Sequence, residues 1–350
     1  MKKVRIGFVG VGGMGQVAHL LNYATITECE VVAIAEIRRE TGRLVAARYG
    51  VPKVYGDHHE MLAAEKLDGV VACQSFGRHI FLLPDLYGKV RHIFTEKPLA
   101  VSVEAGEKLV QAAAKAKCIH MVGYHKRSDP ATIHARRVID DWRASGRMGK
   151  LKYVRILMPA GDWIAGGGAG FLDAKDESPP MDREPPMKDL DAKTAGDYVA
   201  FVNYYIHQVN LMRHLLGEPY AVTYAEKSGV LMAVESKSGI AGTIEMTPYR
   251  TTIEWEESAL VAFEKGYLLL RLPAPLAVNR AGTVEVYSDP GDGAVPERAF
   301  PTMPHVPAMR QQAMTFLKVC RDEMAPPCGA AEALEDLKVA REYDRLRFGR

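Results

Sequence analysis

The stretch Val4-Arg5-Ile6-Gly7-Phe8-Val9-Gly10-Val11-Gly12-Gly13-Met14-Gly15 holds the pattern that decides the fold. A β-rich run leads into glycines that fit Gly-x-Gly-x-x-Gly, and such a strand–turn–helix start is typical of a dinucleotide-binding βαβ unit. Gly10 permits the tight turn, Gly12 lets backbone N–H groups approach a pyrophosphate, and Gly15 lets helix and strand pack closely. The predicted pyrophosphate contacts are Gly10, Gly12, Gly13, Met14 and Gly15.

An acidic residue is expected after the second strand of such a unit, and Glu36 follows Gly15 by about 20 residues. Its carboxylate is predicted to accept hydrogen bonds from the adenosine ribose hydroxyls and to repel a 2′-phosphate, which favours NAD as the cofactor. Arg38 and Arg39 follow directly, and a guanidinium there could hold a 2′-phosphate, so NADP is not excluded.

Strands and helices alternate outward from this unit through the first 120 residues. Predicted strands are Val4–Val9, Val31–Ala35, Gly69–Ala72, His92–Phe94 and His120–Val122, and predicted helices are Gly15–Tyr23, Arg39–Tyr49, His58–Ala64, His79–Tyr87 and Val103–Lys117. Strands separated by helices indicate a parallel sheet with right-handed crossovers. The sequence therefore predicts an α/β protein whose residues 1–123 form a doubly wound Rossmann domain.

The pattern changes after Gly123 to that of an α+β domain, predicted over residues 124–350. Helices are predicted at Ala131–Ser145, Asp197–Leu216, Met309–Arg321 and Ala330–Leu346, with a strand at Lys152–Met158 and six more strand-like segments between Ala221 and Tyr287. Successive strands joined by tight turns indicate an open, largely antiparallel sheet.

The segment from Pro159 to Gly196 shows no clear periodicity and is dense in Gly, Pro and Asp. Long loops in compact domains are usually lids or binding loops, although a flexible insertion has the same composition. Both interpretations stay open at this point.

Composition excludes several classes of protein. The chain has 350 residues, 47% of them hydrophobic and 25% charged, which is ordinary for a globular protein of two domains and excludes disorder. Its 45 Lys and Arg against 43 Asp and Glu give a net charge of +2, without the basic excess of a nucleic-acid binder. No apolar run approaches the roughly 20 residues of a membrane span, and Met1-Lys2-Lys3 leads into glycines rather than a signal-peptide core. We therefore expect a soluble, cytoplasmic protein without nucleic-acid or membrane partners.

Five scattered cysteines form no Cys-x-x-Cys pair, and eleven histidines include no His-Glu-x-x-His arrangement. The sequence predicts free thiols in a reducing compartment and no metal site.

Four stretches resemble the Gfo/Idh/MocA oxidoreductases. They are the glycine fingerprint, Thr95-Glu96-Lys97-Pro98-Leu99-Ala100, Gly123-Tyr124-His125-Lys126-Arg127, and Ile206-His207-Gln208-Val209-Asn210 leading to Leu216-Gly217-Glu218-Pro219. The resemblance covers nearly the whole chain. It implies an NAD(P)-dependent dehydrogenase that acts on a secondary alcohol of a sugar, cyclitol or sugar derivative, and a homodimer or homotetramer assembled through the second sheet.

The resemblance implies two catalytic residues, Lys97 and His207. An ammonium near the reacting hydroxyl stabilises developing negative charge and takes part in proton transfer, and a histidine titrates in the range that acid–base catalysis needs. The family pairs this histidine with an aspartate four residues earlier, where Asn203 stands here. Residues four apart on a helix share one face, so we expect both side chains to point into one pocket. Because asparagine cannot accept a proton, we assign Asn203 to substrate binding.

Further contacts follow from the same resemblance. Ser75, Phe76, His79, Glu96 and Pro98 are expected on the cofactor, together with Lys97. Tyr124, His125, Lys126 and Arg127 are expected to face the substrate, and Trp163 in the long loop suits stacking on a sugar ring.

Two other functions stay open. One is a glycoside-cleaving enzyme with tightly bound NAD that oxidises its sugar transiently. The other is a non-catalytic regulator that binds NAD or a sugar.

Overall fold

The computed structural model describes residues 2–349. Met1 and Arg350, the outermost residues of the two predicted domains, lie outside the described residues. The described strands, in chain order, are β1 (Val4–Val9), β2 (Cys29–Ala35), β3 (Lys53–Tyr55), β4 (Gly69–Ala72), β5 (His92–Glu96), β6 (Ile119–Gly123), β7 (Leu151–Ala160), β8 (Tyr220–Ala225), β9 (Leu231–Ser236), β10 (Ala241–Arg250), β11 (Glu257–Phe263), β12 (Gly266–Leu272), β13 (Thr283–Ser288) and β14 (Glu297–Ala299).

The described α-helices are α1 (Leu21–Tyr23), α2 (Arg39–Tyr49), α3 (His58–Ala64), α4 (His79–Leu86), α5 (Val103–Lys115), α6 (Pro130–Ser145), α7 (Ala192–Tyr204), α8 (Ile206–Leu216), α9 (Ala308–Cys320) and α10 (Ala330–Phe348). A π-helical stretch, Gly15–Leu20, precedes α1, and single 3₁₀ turns cover Phe76–Arg78 and His125–Ser128.

The first sheet is parallel and doubly wound, which confirms the Rossmann prediction. Its strand order among residues 2–349 is β3-β2-β1-β4-β5-β6. Every residue of β4 and β5 is buried, as expected for strands covered on both faces. The short edge strand β3 was not predicted, because three residues are too few to establish an alternating pattern.

The core around this sheet includes a helix from far along the chain. Ile6 and Phe8 of β1, Val71 of β4 and Phe94 of β5 pack in one cluster with Phe316 of α9, and all five are fully buried. The Phe94 and Phe316 rings lie 5.7 Å apart between centroids. A hydrophobic residue near the C-terminal end therefore completes the first core.

The second sheet is open and mostly antiparallel, as predicted. Its order within the described chain is β14-β13-β12-β11-β7-β10-β9-β8, and β7 pairs parallel with β10. Side chains alternate along β7, β10 and β11 between buried and half-buried positions. Helices α6 and α8 contact this sheet, so one face is covered by helices.

The described chain separates into two compact units by its contacts. The first comprises residues 2–124, 167–203 and 312–337, and the second comprises residues 125–166, 204–311 and 338–349. The change of unit after Tyr124 lies one residue beyond the boundary expected from sequence. Segments 167–203 and 312–337, which the sequence analysis assigned to the second domain, group with the first unit.

The predicted helix Asp197–Leu216 is wrong as a single element. The structure has two helices there, α7 and α8, separated at Tyr205. The Tyr205 hydroxyl bonds Thr247 of β10, and its ring packs against Tyr204 with 5.0 Å between centroids. Tertiary packing overrides the helical pattern at this residue. Asn203 therefore lies near the end of α7 and His207 near the start of α8.

No helix among residues 2–349 combines the length and apolar character that crossing a membrane requires.

Candidate active site

The glycine turn after β1 has the geometry of a pyrophosphate cradle. Gly10 adopts φ +87°, and a Cβ there would lie 2.4 Å from the Gln74 side-chain nitrogen and 2.8 Å from the Cys73 carbonyl oxygen. A Cβ at Gly15 would meet the Gly10 carbonyl oxygen at 2.8 Å. Gly13 faces open space, with nothing within 4 Å of its Cβ position. Two glycines are thus required by the backbone, and the turn leaves room for a phosphate group beside the N–H groups that follow.

Glu36 lies directly after β2 and is buried at 4% exposure. Its Oε2 accepts from Val11 N at 2.9 Å, and its Oε1 accepts from Arg38 N at 3.2 Å and Arg38 Nε at 3.0 Å. The hydrogen bond to Glu36 raises the pKa of Arg38. The carboxylate is therefore fixed beside the glycine turn, where an acid of this fold reaches the adenosine ribose, and Arg38 is held by that carboxylate.

Lys97 lies at the carboxyl end of β5, next to a buried carboxylate. Lys97 Nζ donates to the Asn203 carbonyl oxygen at 2.5 Å, and Lys97 N donates to Glu96 Oε2 at 3.2 Å. Glu96 Oε1 lies 2.8 Å from His19 Nε2 on the π-helical stretch. Burial alone would raise the pKa of Glu96, but the hydrogen bond from His19 and the charges of His19 and Lys97 hold the pKa below its usual value. The carboxylate is thus ionised beside the predicted catalytic ammonium.

The predicted cofactor contacts after β4 differ from one another in burial. Ser75 is exposed and precedes a 3₁₀ turn that starts at the half-buried Phe76. His79 is fully buried, and its Nδ1 donates to the Leu99 carbonyl oxygen at 2.9 Å. Burial lowers the pKa of His79 to about 4. His79 is therefore neutral at physiological pH and fixes the chain just beyond Pro98.

Part of the long irregular segment runs along the carboxyl edge of the first sheet, and we call residues 170–184 the strap. Leu172 exchanges two hydrogen bonds with the Gln16 side chain, at 2.8 and 3.0 Å. Asp176 receives hydrogen bonds from the first turn of α2, and Glu184 receives them from Ser102 N and Oγ at the start of α5. The strap thus contacts the segments that follow β1, β2 and β5, the edge where a dinucleotide lies in this fold.

In the second unit, His207 is the second residue of α8 and lies beside another histidine. The His125 and His207 rings lie 4.6 Å apart between centroids, at an interplanar angle of 72°. His207 is half-buried and His125 is buried. The two imidazoles thus pack edge to face in the second unit.

Lys126 is buried at 3% exposure and forms an ion pair with Glu257 of β11. Glu257 also accepts from Gln208 Nε2 at 2.7 Å and from Trp255 Nε1 at 3.2 Å. Three donors around one carboxylate satisfy it fully, as a buried charge requires. Lys126 is therefore part of this buried network. The ion pair with Glu257 accounts for a buried charge at this position without the predicted role in substrate binding.

Two other predicted substrate residues are also buried. Arg127 donates through Nε to Asn210 Oδ1 at 2.5 Å and through a terminal nitrogen to the Asn210 carbonyl oxygen at 3.3 Å. Tyr124 is only 2% exposed, and it is the last residue of the first segment of the first unit.

A cavity of about 540 Å³ opens in the second unit beside the buried network, a size that suits a small ligand. Asp162, Trp255, Glu257, Arg271 and Arg280 are among its lining residues. Trp163 is adjacent to Asp162 in sequence and 39% exposed, and its carbonyl oxygen accepts from Leu276 N at 3.2 Å. The cavity is thus lined by the Trp255 ring and by both acidic and basic side chains.

Sequence analysis missed three acidic and basic groups of the first unit, namely His19, Asp173 and Asp176. His19 and Glu96 are 77 residues apart in sequence, so no local pattern predicts their contact. A signal for Asp176 did exist. Helix α2 has Arg38 at its N-cap, and arginine cannot accept the orphan N–H groups of the first turn, so a cap from elsewhere was required.

Residues 4–124 match the family model described as "Oxidoreductase family, NAD-binding Rossmann fold" (GFO_IDH_MocA). Over these residues the chain is similar to the Gfo/Idh/MocA oxidoreductases. This confirms the resemblance drawn from the four sequence stretches.

Curated proteins similar to this chain include the myo-inositol 2-dehydrogenase of Thermotoga maritima, 25% identical over 242 residues. That match covers 69% of this chain and 63% of the relative, so the chain spans less than two thirds of its length. The inositol 2-dehydrogenase of Burkholderia cenocepacia is 24% identical over 332 residues, which cover 89% of this chain and 88% of the relative.

Among solved structures, levoglucosan dehydrogenase in complex with NADH and levoglucosan has a TM-score of 0.75 to this chain. The superposition covers 99% of this chain and 98% of that one at 17% identity. A likeness at that identity establishes the shared two-domain fold.

Proposed function

We propose that this protein is an NAD-dependent dehydrogenase that oxidises a secondary alcohol of a sugar, cyclitol or sugar derivative. One observation carries the proposal: the glycine cradle, the buried Glu36 and Lys97 all follow strands of one parallel sheet at its carboxyl edge. That edge is where doubly wound folds bind dinucleotides, so a cofactor in the cradle extends toward Lys97. The inositol dehydrogenases among the relatives support a polyol as substrate.

NAD rather than NADP is supported by the surroundings of Glu36. The carboxylate is fixed by Val11 N and Arg38, beside the position of the ribose hydroxyls. Arg38 is already paired with Glu36 in a two-point contact, which leaves its guanidinium less available to a phosphate.

The residues of the chain supply positioning and proton transfer. The bound nicotinamide ring supplies the hydride acceptor. Lys97 holds the substrate oxygen, and its positive charge stabilises the negative charge that develops as the hydroxyl proton leaves. The ionised Glu96 lies beside that ammonium. His207 is the proposed acid–base residue of the second unit, where its ring contacts that of His125.

The asparagine at 203 is compatible with this assignment. Lys97 bonds the main-chain carbonyl oxygen of Asn203, so the position of the ammonium does not depend on which side chain that residue carries. The side chain of Asn203 is exposed and offers a donor and an acceptor to a sugar hydroxyl.

The proposal is tested by releasing and quantifying NAD(H) and NADP(H) from purified protein, and by following absorbance at 340 nm with a panel of cyclitols and sugars. We expect reduction of added NAD with one group of related polyols. A panel in which neither nucleotide is reduced by any polyol contradicts the proposal.

The strap supports a second candidate, a glycoside-cleaving enzyme that keeps its NAD. Contacts at Leu172, Asp176 and Glu184 cover much of the cofactor edge and would slow release of a nucleotide beneath them. Release of an aglycone without accumulation of NADH, from protein that purifies with stoichiometric NAD, distinguishes this reaction from net oxidation.

A further inference from the structure

The first turn of α2 is capped by a residue of the strap. Asp176 Oδ2 accepts from Glu40 N at 2.9 Å, and Asp176 Oδ1 accepts from Thr41 Oγ1 at 2.6 Å. Thr41 Oγ1 in turn accepts from Ala174 N at 3.1 Å. The N-cap residue Arg38 makes no side-chain capping bond of its own. A carboxylate from 135 residues away thus occupies the donors at the start of this helix.

These donors are the ones that the extra phosphate of NADP would need. The 2′-oxygen of the ribose lies at Glu36 in the proposed site, and the 2′-phosphate is one bond further out. The groups beside Glu36 that can receive an anion include the Arg38 guanidinium and the N–H groups of Glu40 and Thr41. A helix N-terminus with a neighbouring arginine and hydroxyl is the usual composition of a phosphate site.

Each of these groups already forms a hydrogen bond or ion pair with a carboxylate of this chain. Glu36 pairs with Arg38 at 3.0 Å, and Asp173 Oδ1 lies 4.0 Å from a terminal nitrogen of the same guanidinium. The hydrogen bond from the Thr41 hydroxyl holds the pKa of Asp176 below its usual value, so this carboxylate is ionised at neutral pH. A phosphate would have to displace Asp176 and would face three negative charges.

We infer that Asp176, assisted by Asp173, is a specificity-determining residue that excludes the 2′-phosphate of NADP by standing in its place. Glu36 repels a 2′-phosphate from the side of the first sheet, and Asp176 repels it from the side of the strap. The strap is anchored independently, because Leu172 is bound to Gln16 and the Gly170 carbonyl oxygen accepts from Arg48 at 2.8 Å. The main chain that carries Asp176 is therefore held near α2 by contacts other than those of Asp176 itself. This inference rests on the proposed function, because it assumes that a dinucleotide binds in the cradle.

The test compares two nucleotides that differ only in the 2′-phosphate, 5′-AMP and 2′,5′-ADP, by calorimetric titration of nucleotide-free, full-length protein. We expect Asp176→Asn to lower the ratio of the 2′,5′-ADP Kd to the 5′-AMP Kd by about tenfold, because one of three like charges is removed. Asparagine keeps an oxygen that accepts from Glu40 N and Thr41 N, so α2 stays capped. Asp173→Asn should lower the ratio by a smaller factor.

Glu177→Gln is the matched control, since it removes the same charge from an exposed side chain of the strap. It should leave the ratio within about twofold, because an exposed charge is screened by solvent. A ratio that Asp176→Asn leaves unchanged, or that Glu177→Gln moves equally, overturns the inference. So does wild-type protein that binds both nucleotides equally well. Wild-type protein that binds neither nucleotide refutes the proposed function itself, and the inference with it.

Discussion

Lys97 contacts a carbonyl group through its side chain and a carboxylate through its main chain. Nζ donates to the Asn203 carbonyl oxygen, and the Lys97 main-chain nitrogen donates to the Glu96 carboxylate. A carbonyl acceptor orients an ammonium without neutralising it. In the proposed function, that charge stabilises the substrate oxygen.

Lys97→Met should abolish turnover while cofactor binding persists. The thioether has similar length but no charge and no proton, so we expect kcat with the best polyol to fall by about 10³-fold. The affinity for NAD, measured by titration, should change by less than about tenfold. Lys108→Met, at an exposed position of α5, is the control and should keep full activity. Substantial activity in Lys97→Met would remove this residue from the mechanism.

At this scale, the sequence predicted the residues whose roles come from local spacing. Gly10 and Gly15 are required by backbone geometry that their motif already encodes, and Glu36 follows its strand at a fixed distance. The partners of Glu96 and of α2 come from distant parts of the chain, so no spacing rule could supply His19 or Asp176.

At the scale of elements, helix α6 begins at Asp129, a carboxyl group whose pKa is raised. Asp129 is 1% exposed and accepts from Ala131 N at 2.8 Å and from Gly282 N at 3.0 Å. Burial raises the pKa of Asp129 to about 6, although these hydrogen bonds oppose the shift. The folded protein therefore holds this proton at a pH where the unfolded chain has released it.

Asp129→Asn should remove a loss of folding stability that the wild-type protein shows as pH rises. Because the folded pKa is raised, the contribution of Asp129 is fully present below the unfolded pKa of 3.8 and is lost as pH rises through about 6. The full loss is on the order of 3 kcal/mol. The difference in Tm between Asp129→Asn and wild type should thus rise from pH 4 to pH 7, as measured by calorimetry. A difference that stays constant across this range would mean that Asp129 titrates normally.

Among the elements, the sequence located nearly all strands and helices but joined α7 to α8. The apolar and aromatic periodicity runs through Tyr205 without interruption, so a local pattern predicts one helix. The break comes from packing against Met158 and Trp255 and from the bond to Thr247, all contacts with other elements. Such contacts are absent from any window of sequence that a helix prediction uses.

At the scale of the whole molecule, the sheet of the second unit has one face that its helices leave half-exposed. Leu260 of β11 and Leu269 of β12 lie opposite each other on that face, next to Arg155 of β7. Apolar side chains at the centre of an open sheet face favour association with a second copy. Assembly through this sheet remains the expectation that family resemblance gave.

Leu260→Lys should therefore reduce the mass measured by light scattering from that of a dimer or tetramer to that of a smaller species. A charge inserted in the centre of an apolar interface is costly to bury. Val278→Lys, at a residue 61% exposed, is the control and should keep the wild-type mass. A wild-type protein that runs as a monomer excludes assembly through this sheet.

The first unit depends on α9 for its core. Phe316 is fully buried against Phe94, and Ala313, Leu317 and Val319 belong to the same cluster. Phe316→Ala should lower the free energy of unfolding by about 3–5 kcal/mol, the usual cost of emptying a buried aromatic position. Urea denaturation followed by circular dichroism measures this, with Phe300→Ala at a 67% exposed position as the control. Equal stability of the two variants would show that α9 is dispensable.

This dependence has a consequence for synthesis on the ribosome. The Rossmann strands are complete when Gly123 is made, yet Phe316 and its neighbours emerge only when α9 has been translated. At about 5–20 residues per second, the nascent chain waits roughly 10–40 s with an unfilled core. During that interval its apolar surface is open to chaperones and to other nascent chains. A mutation that slows translation between residues 124 and 320 could lower the yield of folded protein without changing any contact in the finished molecule.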